Sequence, residues 1–137
     1  MIKISKAAKK ESLIDEWHLV DMPHYGKRVE WNQKRFRFKA VENGKLVGTI
    51  DGKYESGVIF IDSLITAENV RGKGIGTMLI KKAEAFGKNL GAHRTWLVTG
   101  KDWSENAFYK KLGFKLIGNL PDFYFHRDFV IYTRTIT

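Results

Sequence analysis

The chain has 137 residues, 43% hydrophobic and 13% aromatic, enough for one domain with an apolar core and too short for two, so 1–137 is expected to be a single domain. It contains no cysteine, which excludes disulfides, thiolate metal sites and a cysteine nucleophile, and its four histidines form no i, i+4 zinc pair, so no metal is expected. The formal charge of +9 favours an anionic partner; no apolar run approaches the ~18 residues needed to span a bilayer and the N-terminus lacks a signal-peptide pattern, so a cytoplasmic protein with no membrane partner is expected.

Ile2 and Ile4 alternate with Lys3 and Ser5 as in a short half-buried strand. From Ala7 to Val20, the spacing of Leu13, Ile14, Trp17 and Val20 predicts one apolar helical face, ended by Pro23 and Gly26. Asp21 to Trp31 carries Met22, His24, Tyr25 and Trp31 without a period, as either a loop or a short second helix. Its aromatics would either shape a substrate pocket or pack down onto a sheet. Phe36, Phe38 and Ala40 alternate with Arg35, Arg37 and Lys39, and Asn43-Gly44 is a strong hairpin signal because a type I′ turn needs positive φ at both central residues. A second strand from Lys45 towards Lys53 and a third from Val58 to Thr66, joined at Glu55-Ser56-Gly57, complete an antiparallel meander.

The third strand feeds Arg71-Gly72-Lys73-Gly74-Ile75-Gly76-Thr77, a basic loop with glycines at alternate positions that opens a helix. Glycines allow positive φ and close backbone approach, and a helix N-terminus attracts negative charge, so this is a pocket for an anion. A dinucleotide fingerprint would need glycine at 77, which is Thr, and a nucleoside-triphosphate loop would need Lys-Ser or Lys-Thr after its last glycine. Basic side chains gather around it: 71–115 holds Lys or Arg at 71, 73, 81, 82, 88, 94, 101, 110, 111 and 115, whereas 41–70 is tilted acidic by 42, 51, 55, 62 and 68.

Ile75, Met78, Leu79, Ala83, Phe86 and Leu90 recur at helical spacing, with Lys81, Lys82, Glu84 and Lys88 off the stripe, and Gly91 closes the helix. Thr95 to Thr99 is a buried-strand signal, so strand, helix and strand form a parallel crossover. Asp102 with Glu105 resembles a capping box for a helix through Phe108, Tyr109 and Leu112 that stops at Gly113. Phe114 to Ile117 and Phe129 to Tyr132 are closing strands, separated by an Asn119-Leu120-Pro121-Asp122 turn and an aromatic connection from Phe123 to Arg127. The fold class is α/β with a mixed sheet. Its Phe129 to Ile136 strand is expected at an edge able to pair, which leaves monomer or homodimer open.

The Arg71-x-x-Gly74-x-Gly76 pattern resembles the acetyl-coenzyme A pyrophosphate loop of the GNAT N-acetyltransferase superfamily, and Asn106-Ala107-Phe108-Tyr109-Lys110-Lys111-Leu112-Gly113-Phe114 resembles that family's second recurring segment. The likeness covers about 35 to 137 and departs at Glu68, often proline in the family, and at Val70, often aromatic. It implies a GNAT-like acyl-CoA N-acyltransferase fold, an antiparallel meander plus one parallel strand pair at the cofactor cleft. Gly72 to Thr77 would hold the pyrophosphate through backbone N–H groups, with Arg71 and Lys73 adding charge. The pantetheine arm would lie along Leu64, Ile65 and Thr66, which are expected to face Trp96 to Thr99, with Thr66 N–H near the thioester carbonyl and Asn106 contacting the arm or its phosphate end.

Tyr109 is the family-matched proton donor to the departing thiolate. Asp62, placed by period two on the face of Leu64 and Thr66, is the candidate base, ahead of His93, His126 and Glu30, which are chosen by residue type alone. The leading reading is direct acetyl transfer from acetyl-CoA to a primary amine in a ternary complex, the acceptor being a small molecule or a peptide. A non-catalytic acyl-CoA sensor of the same fold is second and a basic nucleic-acid binder last. The acidic tilt of 41–70 suggests a cationic acceptor, whose pocket the aromatics of 17–31 and 123–126 would wall.

Overall fold

A computed structural model describes all 137 residues, which cluster into two compact units, Met1–Trp31 and Asn32–Thr137. In the first, Ile2 and Ile4 are exposed and form no strand. Helix α1 (Ile14–Tyr25) begins at Ile14 rather than Ala7. The reason is local: the Glu11 carboxylate accepts from Ala8 N–H at 2.7 Å while Glu11 N–H donates to Ala8 O at 3.0 Å, a turn that competes with helix. At the other end α1 runs through Pro23 and closes at Gly26, whose N–H donates to Met22 O at 2.8 Å. So 21–25 is the last turn of α1, and 26–31 is the expected loop with no second helix. The expected apolar face is not buried: Leu13, Ile14 and Trp17 are exposed, whereas Asp21 is buried and accepts from Val29 N–H at 3.2 Å. Tyr25 and Trp31 meet edge to face and remain exposed.

The second unit is built on a six-stranded sheet. Strand β1 (Gln33–Glu42) turns at Asn43 and Gly44, both at positive φ (52° and 76°), into β2 (Lys45–Glu55), and β3 (Val58–Thr66) completes the meander. Helix α2 (Ile75–Asn89) crosses over to β4 (Arg94–Gly100), parallel to β3. Helix α3 (Glu105–Lys111), β5 (Lys115–Leu120) and β6 (Phe129–Thr135) follow. The order is β1-β2-β3-β4-β6-β5, so the Phe129 strand expected at an edge lies inside, paired on both sides. Composition explains the exchange: Phe129, Val130, Ile131 and Tyr132 suit an interior position, and Lys115, Gly118 and Asn119 an edge. Asn119 and Leu120 extend β5, leaving the turn to Pro121 and Asp122.

One core joins the sheet to α2 and α3, with Ile50, Ile59, Ile80, Leu97, Val130 and Tyr132 at its centre. The buried side of α2 is Leu79, Ile80, Ala83 and Gly87, rotated slightly from the expected stripe, so Met78 stays exposed. Glu84, expected on the solvent side, is buried against Arg134. The capping box at Asp102 does not form: Ser104 is the α3 N-cap and makes no side-chain cap bond. The other end of α3 closes as expected at Gly113, where Gly113 N–H donates to Lys110 O and Phe114 N–H to Tyr109 O, both at 3.0 Å, with Phe114 packed on the Tyr109 ring.

Candidate functional site

The β3–β4 ladder holds four register pairs, Val58↔Arg94 to Ile61↔Leu97, and then ends while β3 continues along β2 and β4 along β6. Trp96, expected opposite Leu64 to Thr66, instead pairs with Phe60 and packs on its ring at 4.3 Å, and Leu97 pairs in register with Ile61. The part of β4 beyond the last pair is Val98–Gly100. Ala67 N–H donates to Val47 O at 2.8 Å, and hydrogen-bonded pairs alternate in an antiparallel ladder. The Leu64↔Ile50 and Thr66↔Gly48 pairs are therefore of the other kind, and their N–H and C=O groups turn away from β2 into the opening.

A β-bulge sits at the head of this gap. Gly52 opposes Ile61 and Asp51 opposes Ser63, so Asp62 is an additional residue. The bulge shifts the period-two pattern by one. Ile59, Ile61 and Leu64 pack into or against the core, while the Asp62 carboxylate accepts from Arg35 at 2.7 Å and Ser63 Oγ donates to Asp51 at 2.9 Å on the other face. Asp62 thus does not share a face with Leu64, contrary to the alternation read from sequence.

Beyond Thr66, a 3-10 turn at Glu68–Val70 buries Val70 and leads into the loop. Gly72 and Gly74 have φ of 85° and 81° in open space, the left-handed region that favours glycine. Gly76 is different: it has helical φ, and an added methyl there would lie 3.2 Å from the Phe108 ring and 3.9 Å from Leu64. Its smallness brings α2, α3 and β3 together. None of the N–H groups of Gly72, Lys73, Gly74, Ile75, Gly76 and Thr77 donates within the protein, and α2 has neither a side-chain cap nor an acid in its first turn. Lys73 reaches Glu42 at 3.6 Å, while Arg71 has no ion pair. An uncancelled helix dipole and a row of free donors are the features that suit a backbone to an anion.

On α3, Asn106 Nδ2 donates to Trp103 O at 2.7 Å and Gly100 O at 2.8 Å, with Lys101 O at 3.3 Å, and Asn106 Oδ1 accepts from Tyr132 Oη at 2.7 Å. Both amide hydrogens are spent inside the protein. Tyr109 is 8% exposed, and burial, with a smaller contribution from Glu105, pushes its phenol up to about 12. Its hydroxyl makes no hydrogen bond, yet no buried side-chain N or O lacks a partner, so the hydroxyl reaches accessible space. The weaker candidates His93 and His126 lie apart from this geometry. His93 precedes β4 at the end of the strand away from the gap, His126 is almost fully exposed and bonds Asp122 at 2.8 Å, and Glu30 belongs to the first unit. Sequence reasoning missed Tyr132 and Arg134, although the alternation Val130, Tyr132, Arg134 marks one face of the last strand.

A family model described as "Acetyltransferase (GNAT) family" matches residues 7–114. A blasticidin-S acetyltransferase from Streptomyces morookaense is 31% identical over 87 residues, spanning 60% of this chain and 60% of that protein's length. The solved structure of an aminoglycoside 6'-acetyltransferase type Ii superposes with a TM-score of 0.65 at 28% identity over 75% of this chain and 70% of its own. An aminoglycoside 6'-N-acetyltransferase complexed with coenzyme A shares the fold, with a TM-score of 0.68 at 18% identity over 96% of both chains.

Proposed function

The chain belongs to the acetyltransferase (GNAT) family, whose members use acetyl-CoA, and from that premise we propose that it transfers the acetyl group of acetyl-CoA directly to a primary amine of a small molecule in a ternary complex. The observation that carries this reading is the row of unpartnered N–H groups from Gly72 to Thr77 beside a parallel ladder that stops short. Those amides would hold the pyrophosphate, with Arg71 adding charge. Acetyl-CoA supplies the thioester carbonyl that the amine attacks. The outward backbone groups of Leu64 and Thr66 would line the pantetheine arm with Ile65, and Thr66 N–H would oppose the charge that grows on the carbonyl oxygen.

Tyr109 holds a proton throughout the physiological range and would deliver it to the sulfur as the C–S bond breaks and the C–N bond forms. The proton lost by the amine passes to solvent or to a carboxylate. Asp62 lies on the face opposite Leu64 and is already countered by Arg35 of β1, so Asp62 and Asp51 are better suited to attracting a cationic acceptor than to taking its proton. The names of the antibiotic-modifying relatives support a small-molecule amine. Release of free thiol from acetyl-CoA across a panel of amines, aminoglycosides and blasticidin S included, tests the proposal. Cofactor binding with no transfer to any amine would instead favour a sensor.

A further inference from the structure

We propose that Tyr132 and Arg134, alternate residues of β6, are positioning residues that set the Tyr109 hydroxyl in the cleft, and that the Asn106 amide belongs to this frame rather than to the cofactor. This rests on the reading of Tyr109 as proton donor. Helix α3 has only seven residues, and isolated helices shorter than about 12 residues do not hold themselves in water. Its placement must therefore come from tertiary anchors. Both ends are fastened to the same face of β6. At the start, Tyr132 Oη donates to Asn106 Oδ1 at 2.7 Å, one turn before Tyr109, while the Tyr132 ring packs on the Tyr109 ring at 6.0 Å. At the end, Arg134 Nη1 donates to Leu112 O at 2.7 Å, and its guanidinium lies 4.7 Å over the Phe114 ring.

Arg134 is itself fixed. Glu84 of α2 accepts from it at 2.9 Å and 2.5 Å, and Glu84 also accepts from Thr95 Oγ1 of β4 at 2.6 Å. The anchor thus ties α3 to the helix that begins at the glycine loop and to the strand that borders the gap. Tyr132 is fully buried and cannot touch a substrate. The Tyr109 hydroxyl, with no hydrogen bond of its own, takes its position from ring packing and from the backbone of α3. Proton transfer is sensitive to misplacement on the ångström scale, so a frame that touches nothing reactive still governs turnover.

The test is a kinetic cycle on the full chain, with coenzyme A affinity measured by calorimetry. Tyr132→Phe is expected to lower kcat about ten-fold while the coenzyme A dissociation constant stays within about two-fold. In a Tyr109→Phe background the same change should cost nothing further, because its effect runs through Tyr109. Asn106→Ala should match Tyr132→Phe and be non-additive with it, and Arg134→Lys, which keeps the charge but loses the fork, should lower kcat in the same way. Equal losses from Tyr132→Phe in both backgrounds, or an Asn106→Ala variant that loses coenzyme A affinity while Tyr132→Phe does not, would overturn the frame. Full activity of Tyr109→Phe alone would remove the donor role on which it rests, an outcome distinct from an additive cycle.

Discussion

The two helix starts that meet at the cleft are finished in opposite ways. At α2 the backbone is left open, with free N–H groups from Gly72 to Thr77, no side-chain cap and no acid in the first turn. At α3 the Asn106 side chain is saturated by three carbonyls and a phenol. An element that binds an anion must leave donors unsatisfied until the ligand arrives. An element that places a reactive group gains by having every local partner settled beforehand. On the proposed roles, changes at the first start should appear in cofactor binding, and changes at the second in turnover.

The largest test of that separation is Gly74→Arg. It forces a long side chain into a left-handed position (φ 81°) beside the free amides, and cofactor affinity should fall on the order of 100-fold or more in a coenzyme A titration. Wild-type affinity would end the loop assignment. Tyr109→Phe belongs to the other side, with kcat falling about 100-fold and affinity unchanged. Because burial raises the Tyr109 phenol from 10.0 to about 12, any alkaline decline in rate below pH 10 should persist in Tyr109→Phe. The unfolded chain releases this proton first, so the contribution of Tyr109 to stability is full below about pH 10 and is lost as pH rises towards 12.

Gly76→Val sits where the two starts touch. Its methyls meet Phe108, and overpacking of this kind should cost about 1–3 kcal/mol in chemical unfolding as well as weakening the cofactor. Smaller still, Arg71→Gln should raise the acetyl-CoA KM several-fold, roughly, with a difference that shrinks as salt is added. The smallest effect belongs to Arg35→Ala. The Arg35–Asp62 pair is 60% and 42% exposed, so its loss should change stability by less than about 1 kcal/mol.

Features set by near neighbours in the chain were readable from residues alone. The alternation through Phe36 and Phe38, the Asn43-Gly44 turn, the strand–loop–helix passage at Thr66 to Thr77 and the glycine stop at 113 each depend on a few adjacent positions. What failed depended on distant partners or on local competitors. The bulge at Asp62 exists only relative to Asp51 and Gly52, so strand alternation misassigned its face. Glu84 looked like a solvent residue because Arg134, 50 residues later, could not be placed beside it. That the Asn106 amide bonds the carbonyls of Gly100 and Trp103 was likewise not legible, because the turn that presents them is defined only in the fold. The α1 start moved because a single carboxylate, Glu11, traps the turn before it.

The early end of the β3–β4 ladder has a consequence for exchange with solvent. Thr66 N–H, turned away from β2 with no strand beside it, should trade its hydrogen for deuterium quickly, while neighbouring amides bonded to β2 trade slowly. A cofactor arm lying in the opening would act as a surrogate strand. Saturating coenzyme A should then slow exchange at Leu64 and Thr66 selectively, and the whole unit should melt at a higher temperature by the free energy of binding. On this view the sheet is finished only when the ligand is in place.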